Sequence, residues 1–286
     1  MGANHGFFKG REGMLQVRDL GTLDGPVMLF GGPYSNLEAT AAALQWADDN
    51  GIAPSHRICT GDMVAYCANP LETVAMLRAH DVPVVAGNCE RQLAAGATDC
   101  GCGFEEGSIC ETLSQGWYAY ASKLLNPDDL AYFNSCPDRA VFEHGNRRYV
   151  VVHGGASAIN KFLWPLSPED EFWREISILQ EEVGVVEGVI SGHSGIPFRR
   201  NIDGVDWINT GAIGMPAHDG ATKTWFAVLE DNKTRFVELS YDWKAAQKAM
   251  IEAGLTQGYE TSLETGYWPS EEILPKALRQ STSARG

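Results

Sequence analysis

His56-Arg57-Ile58-Cys59-Thr60-Gly61-Asp62 is a short apolar run that breaks at a glycine and delivers an acidic side chain at the break. Such a run reads as a strand ending in a tight turn. The pattern recurs along the chain. Residues 82–85 lead to Gly87-Asn88, residues 149–152 to His153-Gly154-Gly155, and residues 185–190 to Gly192-His193. A fifth run covers residues 26–30. Helical segments separate these runs, and their starts carry capping chemistry. Ser35 with Glu38, Asn69 with Glu72, Asn126 with Asp129 and Ser167 with Asp170 each set a side-chain oxygen three positions before an acidic group. Pro70, Pro127 and Pro168 follow three of these caps, where a missing N–H is harmless. Strands alternating with helices predict an α/β layer architecture.

The last third reads differently. Residues 222–230 and 233–241, joined at Asp231-Asn232, predict a β-hairpin and therefore a sheet with antiparallel as well as parallel pairs. A helix is expected from about Asp242 to Ala253, stopped by Gly254 and leading into a polar, frayed tail that ends in residues 280–286. The expected division is a main domain over residues 1–241 and a helical extension with its tail over residues 242–286.

Composition narrows the function. The 286 residues hold 22 Lys and Arg against 37 Asp and Glu, a net charge of −15, which argues against a nucleic-acid partner. Hydrophobic residues at 44% and charged ones at 21% are globular proportions. No apolar run approaches the roughly 18 residues of a membrane span. The opening residues show no secretory signal, and Gly2 lacks the Ser or Thr that N-myristoylation requires. Seven cysteines from Cys59 to Cys136 show no scaffold spacing, so a reducing cytoplasmic location is expected.

Carboxyl ends of strands in an α/β sheet open onto one crevice, so Asp62, Asn88, His153 and His193 can converge despite their separation in sequence. A carboxylate, an amide oxygen and two imidazoles suit one divalent ion of the Mn, Fe or Zn type. The alternative keeps Asp62 and Asn88 as turn formers and the histidines as hydrogen-bonded core residues.

The order of these motifs resembles that of the calcineurin-like metallophosphoesterases, in particular their small bacterial phosphodiesterase branch. The resemblance runs from residue 26 to residue 230. It rests on Leu29-Phe30-Gly31-Gly32-Pro33-Tyr34-Ser35-Asn36, Thr60-Gly61-Asp62-Met63-Val64, Ala86-Gly87-Asn88-Cys89-Glu90 and Val152-His153-Gly154. Ser191-Gly192-His193-Ser194-Gly195 and Ile208-Asn209-Thr210-Gly211-Ala212-Ile213-Gly214 complete it. It implies a four-layer αββα sandwich with two mixed sheets, and a two-metal centre in which Asp62 bridges while Asn88, His153 and His193 complete the second metal. The positions of three further ligands hold Gly32, Tyr34 and Gly195, so the first metal site is degenerate. The family's histidine after Gly-Asn is Cys89, which stands at a catalytic position beside Asp62 and Asn88.

Other candidates follow from residue chemistry. Tyr34 could refill the first site as a phenolate, and Arg199 and Arg200 could fork onto a phosphate. Cys89, Cys100, Cys102 and Cys110 crowd the insert 89–110, yet their spacing matches no standard zinc or cluster pattern, and buried free thiols are expected. A Cys89 thiolate nucleophile lacks an evident base. His56, His80, His144 and His218 read as surface or structural residues. Trp164, Trp173, Trp207 and Trp225 read as core, and Leu37, Ala41 and Leu44, like Phe172, Ile176, Leu179 and Val183, as packing stripes.

The expected function is a metal-dependent phosphoester hydrolase with a reduced, mononuclear centre, acting on a small phosphorylated molecule. The alternatives are a catalytically inactive ligand-binding or regulatory module on the same scaffold, and a thiol or iron redox sensor built on the cysteine insert.

Overall fold

The computed structural model describes residues 15–105 and 107–280. The opening residues read above for targeting signals, and residues 281–286 of the polar tail, lie outside the described residues.

Two mixed sheets stack face to face. The larger has the order β1-β4-β5-β6-β8-β7, built from β1 (Val17–Thr22), β4 (Arg139–His144), β5 (Arg147–Val151), β6 (Gly188–Ser191), β8 (Val205–Thr210) and β7 (Pro197–Ile202). The smaller runs β10-β9-β2-β3, from β10 (Lys233–Leu239), β9 (Thr224–Glu230), β2 (Val27–Phe30) and β3 (Arg57–Cys59). β5, β6 and β8 are parallel, as are β2 and β3, whereas β9 runs antiparallel to both β2 and β10.

Side-chain alternation assigns each strand two faces. On β2, Val27 and Leu29 join Ile58, Phe142, Tyr149, Val151, Ile190 and Ile208 in the apolar seam between the sheets. Met28 and Phe30 point the other way, into a cluster with residues of α1 (Leu37–Asp49), α2 (Pro70–Ala79), α4 (Ile109–Leu124) and α5 (Pro127–Ser135). Val150, Val189 and Trp207 leave the seam on the opposite side and meet Phe172, Ile176 and Leu179 of α6 (Glu169–Val183). Burial of each such side chain contributes roughly 1.5–3 kcal/mol, so the α6 stripe alone holds that layer in place. The layers are helix, sheet, sheet, helix: the four-layer sandwich.

Local chemistry sets the element ends, in two cases one residue from expectation. Asn126 and Asp129 form the capping box at the start of α5. At α1, Asn36 accepts from the Ala39 N–H, while Ser35 at φ 56° occupies the turn before it. At α6 the cap is Pro168, because the Ser167 hydroxyl accepts from the Trp164 N–H instead. Residues 82–85 make only a single bridge, Val84 to Cys59, where a full strand was expected. Trp207 is fully buried but Trp173 is 41% exposed, so Trp173 belongs to the surface of α6 rather than the core.

Beyond β10, α7 (Trp243–Glu252) starts at its Asp242 cap, and Gly254 follows its end in the left-handed conformation. The chain then adds α8 (Tyr259–Thr265), where only tail was expected. Ala246, Met250, Leu255, Tyr259 and Leu263 are buried in the same cluster as Met28 and Phe30.

Candidate metal centre

β3 ends at Cys59 and the chain turns through Thr60 and Gly61, bringing Asp62 round at φ 56°. A second turn places Asn88 at the start of α3 (Asn88–Ala95). One side chain, Glu90, ties the two turns together. It is wholly buried, and its carboxylate accepts from the N–H groups of Asp62 at 2.8 Å, Met63 at 2.7 Å and Gly87 at 2.8 Å. Burial, and next the charge of Asp62, push the Glu90 carboxyl up to about 7. Sequence reasoning quoted Glu90 but gave it no role. An acidic group three positions after Gly87, the first-turn carboxylate of a capping box, was the available signal.

His153 follows β5, and His193 follows β6. His153 Nδ1 donates to the Thr60 carbonyl at 2.7 Å, which leaves Nε2 as the lone-pair nitrogen of the neutral ring. That Nε2 lies 3.0 Å from Asn88 Oδ1, 3.0 Å from His193 Nδ1 and 3.2 Å from Asp62 Oδ2. Asn88 is held in this orientation because its Nδ2 donates to the Cys100 carbonyl at 2.9 Å. One ligand atom each from Asp62, His153 and His193 fall within 4.8 Å of one another, and all three residues are buried.

Electron-rich atoms therefore face each other in a water-poor space. Burial lowers the proton affinity of His193, and the charge on His153 lowers it further, to about 3, so this ring is neutral. Burial acts the same way on His153, but the Asp62 carboxylate reverses the effect and holds His153 above the ordinary imidazole range. Burial would raise the Asp62 carboxyl, yet the neighbouring His153 charge keeps it below its usual value. A single proton on His153 Nε2 serves one of its three contacts at a time. A divalent cation draws on all four groups, and this donor set fits one.

The neighbouring half is furnished differently. A Cβ on Gly32, itself at φ 49°, would strike the ring of Tyr34, which fills the space where a longer side chain at position 32 would project. Gly195 faces the Tyr34 hydroxyl and the ring of Trp268, at 3.8 and 3.6 Å from the position its Cβ would take. The phenolate ligand expected of Tyr34 is opposed by its surroundings: burial, and next the Asp62 charge, push its ionisation well above the ordinary phenol value. Cys89 is likewise buried, and burial with the charges of Asp62 and Glu90 pushes its thiol up, the opposite of the shift that activates a thiolate.

Arg199 and Arg200 do not line the site. Arg199 pairs with Asp206 at 2.9 Å, and Arg200 donates to the carbonyls of Pro165 and Ser167 at 3.1 and 3.0 Å. Free thiols were expected throughout the insert 89–110, but Cys100 and Cys102 are joined as a disulfide, while Cys89 and Cys110 are free and buried. His144 Nδ1 donates to the Leu23 carbonyl and His218 pairs with Glu271, both away from the four donors.

A cleft open to solvent begins at Asp62 and His193. Its walls come from Tyr34, Tyr66, Phe162, Tyr259, Trp268 and Ile273. The C-terminal segment thus closes the site. Sequence reasoning missed this, and the aromatic pair Tyr267-Trp268 within a stretch read as tail was the overlooked sign.

Residues 35–233 match the calcineurin-like phosphoesterase superfamily domain, well over half of the chain. The chain belongs to the calcineurin-like phosphoesterase superfamily. An uncharacterised protein of Methanocaldococcus jannaschii is 25% identical over 250 residues, covering 78% of this chain and 91% of that one. A metallophosphoesterase from Sphaerobacter thermophilus superposes with a TM-score of 0.64 at 21% identity, covering 85% of this chain and 99% of the other. A hypothetical protein from Pyrococcus horikoshii reaches 0.68 at 18% identity, over 87% and 99%. Both structures share the fold. Among the described residues no helix is long and apolar enough to cross a membrane.

Proposed function

We propose that this superfamily member is a phosphoester hydrolase with a single divalent ion held by Asp62, Asn88, His153 and His193. The observation that carries the reading is the environment of His153 Nε2, within 3.2 Å of three further electron-rich atoms. A divalent ion there supplies Lewis acidity toward a phosphoryl oxygen and toward an attacking water. The protein supplies the rest. Thr60 fixes the tautomer of His153, Glu90 holds both ligand-bearing turns in register, and burial keeps His193 neutral and ready to donate. Tyr34 keeps its proton and lines the cleft, so its hydroxyl can donate a hydrogen bond to a phosphoryl oxygen or to the departing alkoxide.

With one ion in place of two, the side of the leaving group lacks its second cationic clamp, and turnover slower than that of two-metal relatives follows. Elemental analysis of purified protein should find about one equivalent of Mn, Fe or Zn. Hydrolysis of bis(4-nitrophenyl) phosphate with added Mn²⁺ should be measurable and should vanish in Asp62→Ala and His193→Ala. Metal-free protein that stays inactive with every divalent ion would overturn the reading.

The ring of Tyr34 over Gly32 favours a second reading, a ligand-binding module in which the catalytic half of the site has been filled in. The combined variant Gly32→Asp, Tyr34→His, Cys89→His and Gly195→His separates the two. Activity arising only in that variant assigns the natural protein to the module.

A further inference from the structure

The cleft beside Asp62 and His193 has a chemistry that a general phosphate site would not have. Among its described lining residues there is no lysine or arginine, and Asp62 is the only carboxylate. His193 is neutral. Whatever anionic charge a ligand brings must therefore be met at the four-donor centre alone, and every further charge would be left unpaired in an apolar space. The net charge of −15 adds to that penalty for a polyanion.

The walls are aromatic. Phe162 packs on the ring of His193 with 4.3 Å between centroids, so one apolar plane starts at the metal-facing histidine itself. Tyr66 and Tyr259, 4.4 Å apart and tilted by 32°, line the same cleft, as do Phe104 and Trp268. Trp268 is fixed in place: its Nε1 donates to the Pro216 carbonyl at 2.7 Å and its backbone N–H to His218 Nδ1 at 2.9 Å, while His218 Nε2 is anchored on Glu271 at 2.9 Å. Gly195 leaves the face between Trp268 and Tyr34 uncovered. Rigid aromatic planes around a slot bind flat aromatic groups by stacking and by area burial, with little ordering cost.

We propose that this cleft selects phosphate esters whose alcohol is a flat, uncharged aromatic group, with the phosphoryl at the four-donor centre and the ring against the aromatic lining of Phe162, Tyr259 and Trp268. The selection rests on the phosphoesterase reading for its orientation, but the wall is a feature of the cleft itself.

Calorimetry of the metal-loaded protein with 1-naphthyl phosphate and with glycerol 2-phosphate tests it, alongside turnover of both. The naphthyl ester should bind at least tenfold more tightly. Trp268→Ala should remove most of that preference, leaving glycerol 2-phosphate affinity and metal content unchanged. Phe104→Ala, at a half-buried side chain on the edge of the helical-layer cluster, should reduce the preference severalfold and gives a second variant should Trp268→Ala fold poorly. Equal affinities for the two esters, failure of the naphthyl ester to bind, or a preference untouched in both variants overturns the proposal. Selective binding without turnover leaves the cleft as proposed and removes the hydrolase reading. Equal turnover of both esters at equal affinity does the reverse.

Discussion

Glu90 gathers three backbone N–H groups from two separate turns onto one buried carboxylate, and the positions of Asp62 and Asn88 depend on it. A glutamine at this position keeps the size but replaces one acceptor oxygen by a donor, which then faces an N–H. Leaving a buried donor unpaired costs about 1–3 kcal/mol, and bonds to a charged acceptor are at the strong end. Glu90→Gln should accordingly lower unfolding stability by about 2–3 kcal/mol in urea titration and reduce bound metal in elemental analysis. Unchanged stability and metal content would show that the two turns hold their geometry without it. Single residues also mark where the sequence could be read and where it could not. Asp62, Asn88, His153 and His193 stand beside glycines at strand ends, a local sign that survives without coordinates. The protonated state of Tyr34 depends on burial and on the nearby Asp62, neither of which is a property of the residues around Tyr34 in the chain.

Elements differ in how plainly they announce themselves. The β9–β10 hairpin is legible because Asp231 and Asn232 accept positive φ, 48° and 59°, as a two-residue turn between twisted strands requires. β1 is exposed at nearly every position, so it carries no alternation of apolar and polar residues for sequence reading to detect. On β8, Asp206 is buried yet accepts from Asn201 at 2.8 Å, Arg199 at 2.9 Å and Arg147 at 3.1 Å, joining the ends of β5, β7 and β8. Burial opposes its ionisation, but these hydrogen bonds, from Asn201 and then Arg199, win and hold its carboxyl below the usual range. A depressed acid stabilises the fold above the ordinary carboxylate range, and that contribution fades as pH falls through its folded value. Asp206→Asn should therefore cost about 1 kcal/mol at neutral pH, after allowance for the partly exposed arginines. The difference between variant and natural protein in thermal melts should shrink in acid. A constant difference across pH would assign the loss to packing instead of charge.

At the scale of the molecule the sandwich and the crevice at its strand ends follow from the order of motifs, whereas the closure of that crevice does not. Residues 242–280 carry no motif of the kind that marks the strand ends, and their role emerges only from where they pack: Met250 and Leu263 against the helical layer, Tyr259, Trp268 and Ile273 on the cleft. The division after residue 241 therefore becomes an experimental question about coupling between extension and site. If the extension is part of the core, a chain ending at Tyr241 uncovers the side of the helical layer where α7 packs on α1 and opens the cleft to water on the other. Such a truncation should unfold at lower denaturant concentration or aggregate, and any soluble fraction should retain metal at the four donors while losing the preference for aromatic esters. Retention of full stability together with unaltered ester selectivity would make the extension a separate appendage, and the aromatic wall would then have to be supplied by Tyr66, Phe104 and Phe162 alone.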